Sequence, residues 1–137
     1  MTFLINAFKV VFLLGFLIFI HEGGHFLAAR FFKVKVEAFS IGFGPKIFTK
    51  KGKETEYSLS LIPFGGYVKM KGEEERSNET GSFSEAKVLH RIIIVAAGAF
   101  VNIVFAIVVF FFLYYPTMIS ELIFLISPFS TSPGPNS

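Results

Sequence analysis

The chain has 137 residues, of which 53% are hydrophobic and 20 are Phe. A soluble domain of that length has too little interior for so much apolar side chain, so composition points to a membrane protein. The absence of Cys excludes disulfides and thiolate metal ligands, the ten acidic residues are all Glu, and a net charge of +3 gives no reason to expect a nucleic-acid partner.

The first predicted element covers residues 1–32. Twenty residues, VVFLLGFLIFIHEGGHFLAA, separate Lys9 from Arg30, and their only titratable side chains are His21, Glu22 and His25. Twenty helical residues span roughly 30 Å, the thickness of the hydrocarbon layer. A cleaved signal peptide is the competing reading, but its apolar core is shorter, and it leaves His21 and Glu22 unexplained. Residues 33–72 lack helical periodicity. Phe39, Ile41 and Phe43 alternate with Ser40 and Gly42, and Tyr57, Leu59 and Leu61 alternate with Ser58 and Ser60. KKGKE at Lys50–Glu54 marks a turn, and PFGGY at Pro63–Tyr67 a glycine-rich bend. The segment reads as a small β-hairpin or sheet. Residues 73–91 read as a polar loop, with GEEERSNETGS at Gly72–Ser82 expected to be mobile. Residues 92–115, IIIVAAGAFVNIVFAIVVFFFLYY, contain no charge and form the second span, with Arg91 at one end and Tyr114 and Tyr115 at the other. Residues 116–137 read as a tail.

Twelve of the thirteen Lys and Arg residues lie between the spans, from Arg30 to Arg91. The positive-inside bias therefore predicts a cytoplasmic loop over 30–91, with both termini outside. The expected fold class is an α-helical integral membrane protein, two transmembrane helices with a small membrane-associated β element between them.

HEGGH at His21–His25 is an H-E-x-x-H motif. Positions i and i+4 share a helix face, so both imidazoles can reach one metal ion. Zinc takes neutral imidazole and makes a water acidic, and Glu22, beside the first ligand, can move that water's proton. In a soluble helix the same pattern is often a surface polar cluster. Inside a membrane it needs a partner, either a metal or a polar patch on a neighbouring helix. Gly23 and Gly24 lower helix propensity and permit close approach.

An ordered set of segments then resembles the site-2 protease family of intramembrane zinc metalloproteases, most closely its bacterial RseP-like branch. His21–Phe48 resembles the family's first-helix motif and following strands. Glu56–Glu73 resembles its membrane-associated β region. Gly98 and Asn102 in AAGAFVNIVFA resemble its G-P-x-x-N stretch. The resemblance implies zinc as cofactor, His21 and His25 as its ligands, and Glu22 as catalytic base. Asn102 would be a substrate-binding polar group, with helix–helix hydrogen bonding as the alternative. It also implies a location in the bacterial inner membrane, among lipid. The substrates would be transmembrane proteins, of the anti-sigma-factor or signal-peptide-remnant type. The β region would present a strand edge to an unwound substrate.

Ala99 stands where the family usually has Pro. The family's third ligand is an Asp in an L-D-G motif, and this chain has no Asp. Neither a PDZ domain nor further helices are visible after Pro116. These departures suggest an N-terminal portion of a protease, truncated before a PDZ domain. The alternative is a non-catalytic membrane fragment that binds the same partners. His90, at the membrane edge, is a remote candidate for the third ligand.

Overall fold

A computed structural model describes residues 1–130, in the order α1 (Thr2–Phe31), β1 (Val36–Lys51), β2 (Glu56–Met70) and α2 (Val88–Ser130). Two long apolar helices thus flank a two-stranded antiparallel sheet. Both helices are long and apolar enough to cross a membrane, with mean hydropathies of 2.5 and 2.9. α1 has 30 residues, a length of about 45 Å. Arg30 in its last turn complements the carbonyl end of the helix.

α2 begins at Val88, four residues before the span expected from the sequence, and it continues past Pro116. A proline removes one N–H from the helix ladder, yet apolar helices accommodate it when the flanking residues favour helix. Residues 117–126 do so, with Glu121 their only charge. The part of the expected tail at 131–137 lies outside the described residues.

Residues 1–102 and the segment from Ile103 onward form two separate units. In the first, a small core gathers at the end of α1. Ala29, Val34, Val36, Met70 and Ile94 are buried, with Phe26, Phe32, Val68 and Phe83 packed around them. In the second, the helix stacks Phe110 on Tyr114 and Phe111 on Tyr115, at 4.3 Å and 5.0 Å between ring centroids.

The two strands fold back on each other more than a plain hairpin would. Ala38, Phe39 and Ser40 pair antiparallel with Lys69, Val68 and Tyr67, and the same three residues also pair with Glu56, Tyr57 and Ser58. Lys50 and Lys51 pair with Tyr57 and Glu56 from the other side. Residues 56–58 therefore lie between 38–40 and 49–51. The doubling needs sharp changes of direction inside each strand. Gly42 (φ +84°) and Gly65 (φ +92°) supply them, in a backbone region that side chains with a Cβ rarely adopt. The expected turn is present, closed by the Gly52 N–H donating to the Thr55 carbonyl at 2.8 Å.

The sheet rests on α1 through Phe39, whose ring meets Phe19 and Phe26 edge-on at 6.2 Å and 5.6 Å. The loop between β2 and α2, whose residues 72–82 were expected to be mobile, is held by hydrogen bonds. The Lys35 N–H donates to Gly81, the Lys71 N–H to Lys35, and the Phe83 N–H to Lys71. Ser84 and Ser77 bridge the loop internally, and Lys71 pairs with Glu79. Polarity in the sequence hid this order because the bonds are made by backbone and hydroxyl groups, which carry no apolar signal.

Candidate metal centre

His21 and His25 lie one turn apart on α1, and their rings meet nearly at right angles with centroids 4.9 Å apart. Their Nε2 atoms are 3.2 Å apart. Two imidazoles on one tetrahedral zinc, each at about 2.05 Å, have nitrogens about 3.3 Å apart. The pair therefore has the spacing that a shared metal demands.

The remaining ring nitrogens are also held. His25 Nδ1 lies 2.8 Å from the Ile94 carbonyl oxygen on α2. A carbonyl only accepts, so Nδ1 carries the proton and Nε2 is left with a lone pair. His21 Nδ1 lies 3.3 Å from the Asn102 amide. α2 thus secures both rings on the side away from the Nε2 pair.

Two glycines make this possible. A Cβ on Gly24 would stand 2.7 Å from the Ala97 carbonyl oxygen and 3.0 Å from Gly98 Cα, so α1 and α2 touch backbone to backbone. A Cβ on Gly98 would stand 2.4 Å from His25 Nε2 and 2.8 Å from His21 Nε2. The space in front of both nitrogens exists because position 98 has no side chain. The spacing, the His25 tautomer and the cradle fit a bound cation.

Glu22 leaves α1 on a neighbouring face and meets the sheet. A Cβ on Gly66 would stand 2.7 Å from the Ser40 carbonyl oxygen, 3.1 Å from Glu22 Cγ and 3.3 Å from Ile18 Cγ2. The Ser40 carbonyl bars a side chain at 66, and Glu22 would have to give way by a few tenths of an ångström. His90 is elsewhere, stacked on Phe32 at 4.3 Å. Among the described residues, no three His, Cys, Asp or Glu side chains are grouped to share a metal ion.

A sequence model of peptidase family M50 matches residues 9–131. This chain belongs to peptidase family M50. A Helicobacter pylori relative, named as a candidate zinc metalloprotease, is 52% identical over 108 residues, covering 75% of this chain and 31% of that protein. Relatives of the same description from Clostridium perfringens and Clostridium acetobutylicum are 48% and 46% identical, over 69% and 77% of this chain and 28% and 31% of their own lengths. The chain spans less than a third of these relatives. Membership of M50 bears out the resemblance read from HEGGH and the segments after it, and the relatives' names support zinc as the cofactor.

The structure brings together His21, His25, Gly98 and Asn102, and sets Glu22 beside them on α1. Ile94 was not foreseen. It acts through its carbonyl, which every residue has, so its sequence carried no signal. Gly66 was visible only as half of a glycine pair. A glycine inside a strand pattern signals close backbone approach, and that rule could have singled it out.

Proposed function

We propose that this chain supplies two zinc ligands, His21 and His25, and the general base, Glu22, of an endopeptidase that cleaves transmembrane helices within the bacterial inner membrane. The observation that carries this reading is the Nε2 pair at 3.2 Å, facing the space left by Gly98. Zinc held there supplies Lewis acidity, polarising a carbonyl and making water a nucleophile near neutral pH. Glu22 accepts the proton of the attacking water and passes it to the leaving amine.

A transmembrane helix hides its carbonyls in its own hydrogen bonds, so it must unwind before cleavage. The segment of β2 beside Glu22 is suited to receive an unwound strand by edge pairing, held close by Gly66. An apolar recess of about 430 Å³, lined by Phe19, Gly23, Phe26, Phe39 and Tyr57 among others, would seat apolar side chains of such a strand. The substrate class is a transmembrane protein of the anti-sigma-factor or signal-peptide-remnant type. The Lys and Arg residues of 30–91 would lie in the cytoplasm, with the start of α1 outside. Because the chain has no Cys, single cysteines at Thr2 and Lys53 report sidedness directly with an impermeant thiol reagent. Labelling of Lys53→Cys from outside intact cells would reverse the orientation.

A second reading is favoured by one observation. The chain has no Asp, and the described residues offer no third ligand beside the His pair. On this reading the chain binds the same partners without cutting them. Metal analysis decides between them. A functional site holds about one zinc per chain, lost in His21→Ala, with the third ligand supplied from outside these residues. Zinc below that level in the parent chain favours the non-catalytic reading.

A further inference from the structure

The amide of Asn102 raises a question that its hydrogen bond does not answer. Its nitrogen faces His21 Nδ1 at 3.3 Å, while its oxygen, Oδ1, is buried with no hydrogen-bond partner. An unsatisfied buried acceptor is costly, and rotating the amide by half a turn exchanges the two ends.

The two amide orientations correspond to two proton positions on His21. With the nitrogen donating, Nδ1 must accept, so the His21 proton sits on Nε2. It then points along the 3.2 Å contact at the His25 Nε2 lone pair. A continuous chain results, from Asn102 to His21 to His25 to the Ile94 carbonyl, each group donating to the next. That chain is complete without a metal, except for the orphaned Oδ1. With the oxygen facing His21 instead, Nδ1 donates to Oδ1, and the amide nitrogen takes the unpartnered place. Both Nε2 atoms then present bare lone pairs to each other. Two lone pairs at 3.2 Å repel unless a cation lies between them.

We infer that Asn102 is a positioning residue whose amide orientation is coupled to metal occupancy, its oxygen accepting the His21 Nδ1 proton when His21 ligates through Nε2. Neutral imidazole that binds metal through Nε2 must keep its proton on Nδ1, so an acceptor at that point stabilises the ligating form. The inference rests on the reading of His21 and His25 as zinc ligands. It gives Asn102 a role behind the ligand, where the sequence suggested a contact with substrate.

The test uses this chain in detergent micelles, with selectively 15N-labelled histidine and titration with zinc ions against a chelator of known affinity. His90→Gln simplifies the spectrum and lies outside the site. In the metal-free chain the His21 proton is expected on Nε2, and saturating zinc is expected to move it to Nδ1. Asn102→Asp keeps an acceptor of the same shape and removes the donor. It should hold the proton on Nδ1 even without metal and bind zinc at least as tightly as the parent. Asn102→Leu, of similar volume with neither group, should weaken zinc binding roughly 10- to 100-fold. Equal affinity in the Leu variant, or a His21 proton that zinc does not move, overturns the assignment. If Leu destabilises the helix pair, the Asp variant and the parent spectra still decide it. A parent chain that takes up no zinc sensitive to His25→Ala overturns the metal reading itself, a result distinct from equal uptake with and without the Asn102 acceptor.

Discussion

Residues 15–25 lie in α1 and residues 103–127 in α2, two helices apolar enough to cross a membrane, yet the two stretches use that setting differently. The first stretch places Gly15, Gly24 and the polar set His21, Glu22 and His25 against other backbone. Gly24 meets Ala97 and Gly98, and Glu22 meets Gly66. The second stretch carries bulky side chains around its circumference, with Phe110, Phe112 and Leu113 all more than 60% exposed. Apolar helices gain little from burying Leu against Leu where the surroundings are equally apolar. They associate where small residues let backbones and polar groups meet. Small and polar residues placed where other backbone meets them separate the stretch that holds the site from the one made of bulky apolar side chains.

Substitutions at both ends of the comparison test it, and the largest effect is expected at Glu22. In a protein that carries this chain and cleaves a transmembrane substrate, Glu22→Gln should lower that cleavage about 10²- to 10⁴-fold while zinc content stays at the parent level. Unchanged proteolysis in a cell-based cleavage assay would remove Glu22 from the role of base. Next come the two facing glycines, which should fail in different ways. In Gly98→Ala the added methyl group meets the tips of two imidazoles, which can swing aside. Zinc affinity should fall roughly 10-fold or more, with helix content by circular dichroism unchanged or higher. In Gly24→Ala the methyl group meets backbone, which cannot. Thermal unfolding in detergent should show a loss of about 1–3 kcal/mol. If Gly24→Ala is neutral, the backbone contact between α1 and α2 is looser than its geometry implies. On the other side, Phe112→Ala should change stability by no more than about 0.5 kcal/mol and leave zinc binding intact. A large effect there would show that the second stretch has a packing role of its own.

The smallest effect belongs to the exposed rim of the sheet. Lys46 donates to Glu56 at 2.6 Å. This bond holds the Glu56 carboxyl below the usual carboxylate value and raises the Lys46 ammonium above the usual lysine value. A lowered carboxylate contributes stability that is complete above its unfolded value and is lost as pH falls through the folded one. A raised lysine contributes stability that is present below its ordinary value and lost as pH rises above it. Both groups are exposed, so the effect is slight and screened by salt. Amide exchange in residues 46–60 should quicken slightly below about pH 4, and Glu56→Gln should abolish that dependence.

The presence of two apolar spans, the sheet between them, the HEGGH face and membership of the site-2 protease type were all legible in the sequence. Each is a local pattern, a run of one residue class or a fixed spacing along one element, and needs no knowledge of what lies opposite. The ends of α2 were less legible, because Pro116 taken singly breaks a helix and Glu121 interrupts an apolar span, and the surrounding helix outweighs them. Tertiary structure alone decided the rest. It placed the Ile94 carbonyl on His25, the Asn102 amide on His21, Gly98 before both Nε2 atoms and Gly66 beside Glu22. These contacts join residues 44 to 81 positions apart, through a carbonyl, an amide end or a missing side chain. Such groups have the same appearance in a sequence whether or not anything faces them, and only the folded chain gives them partners.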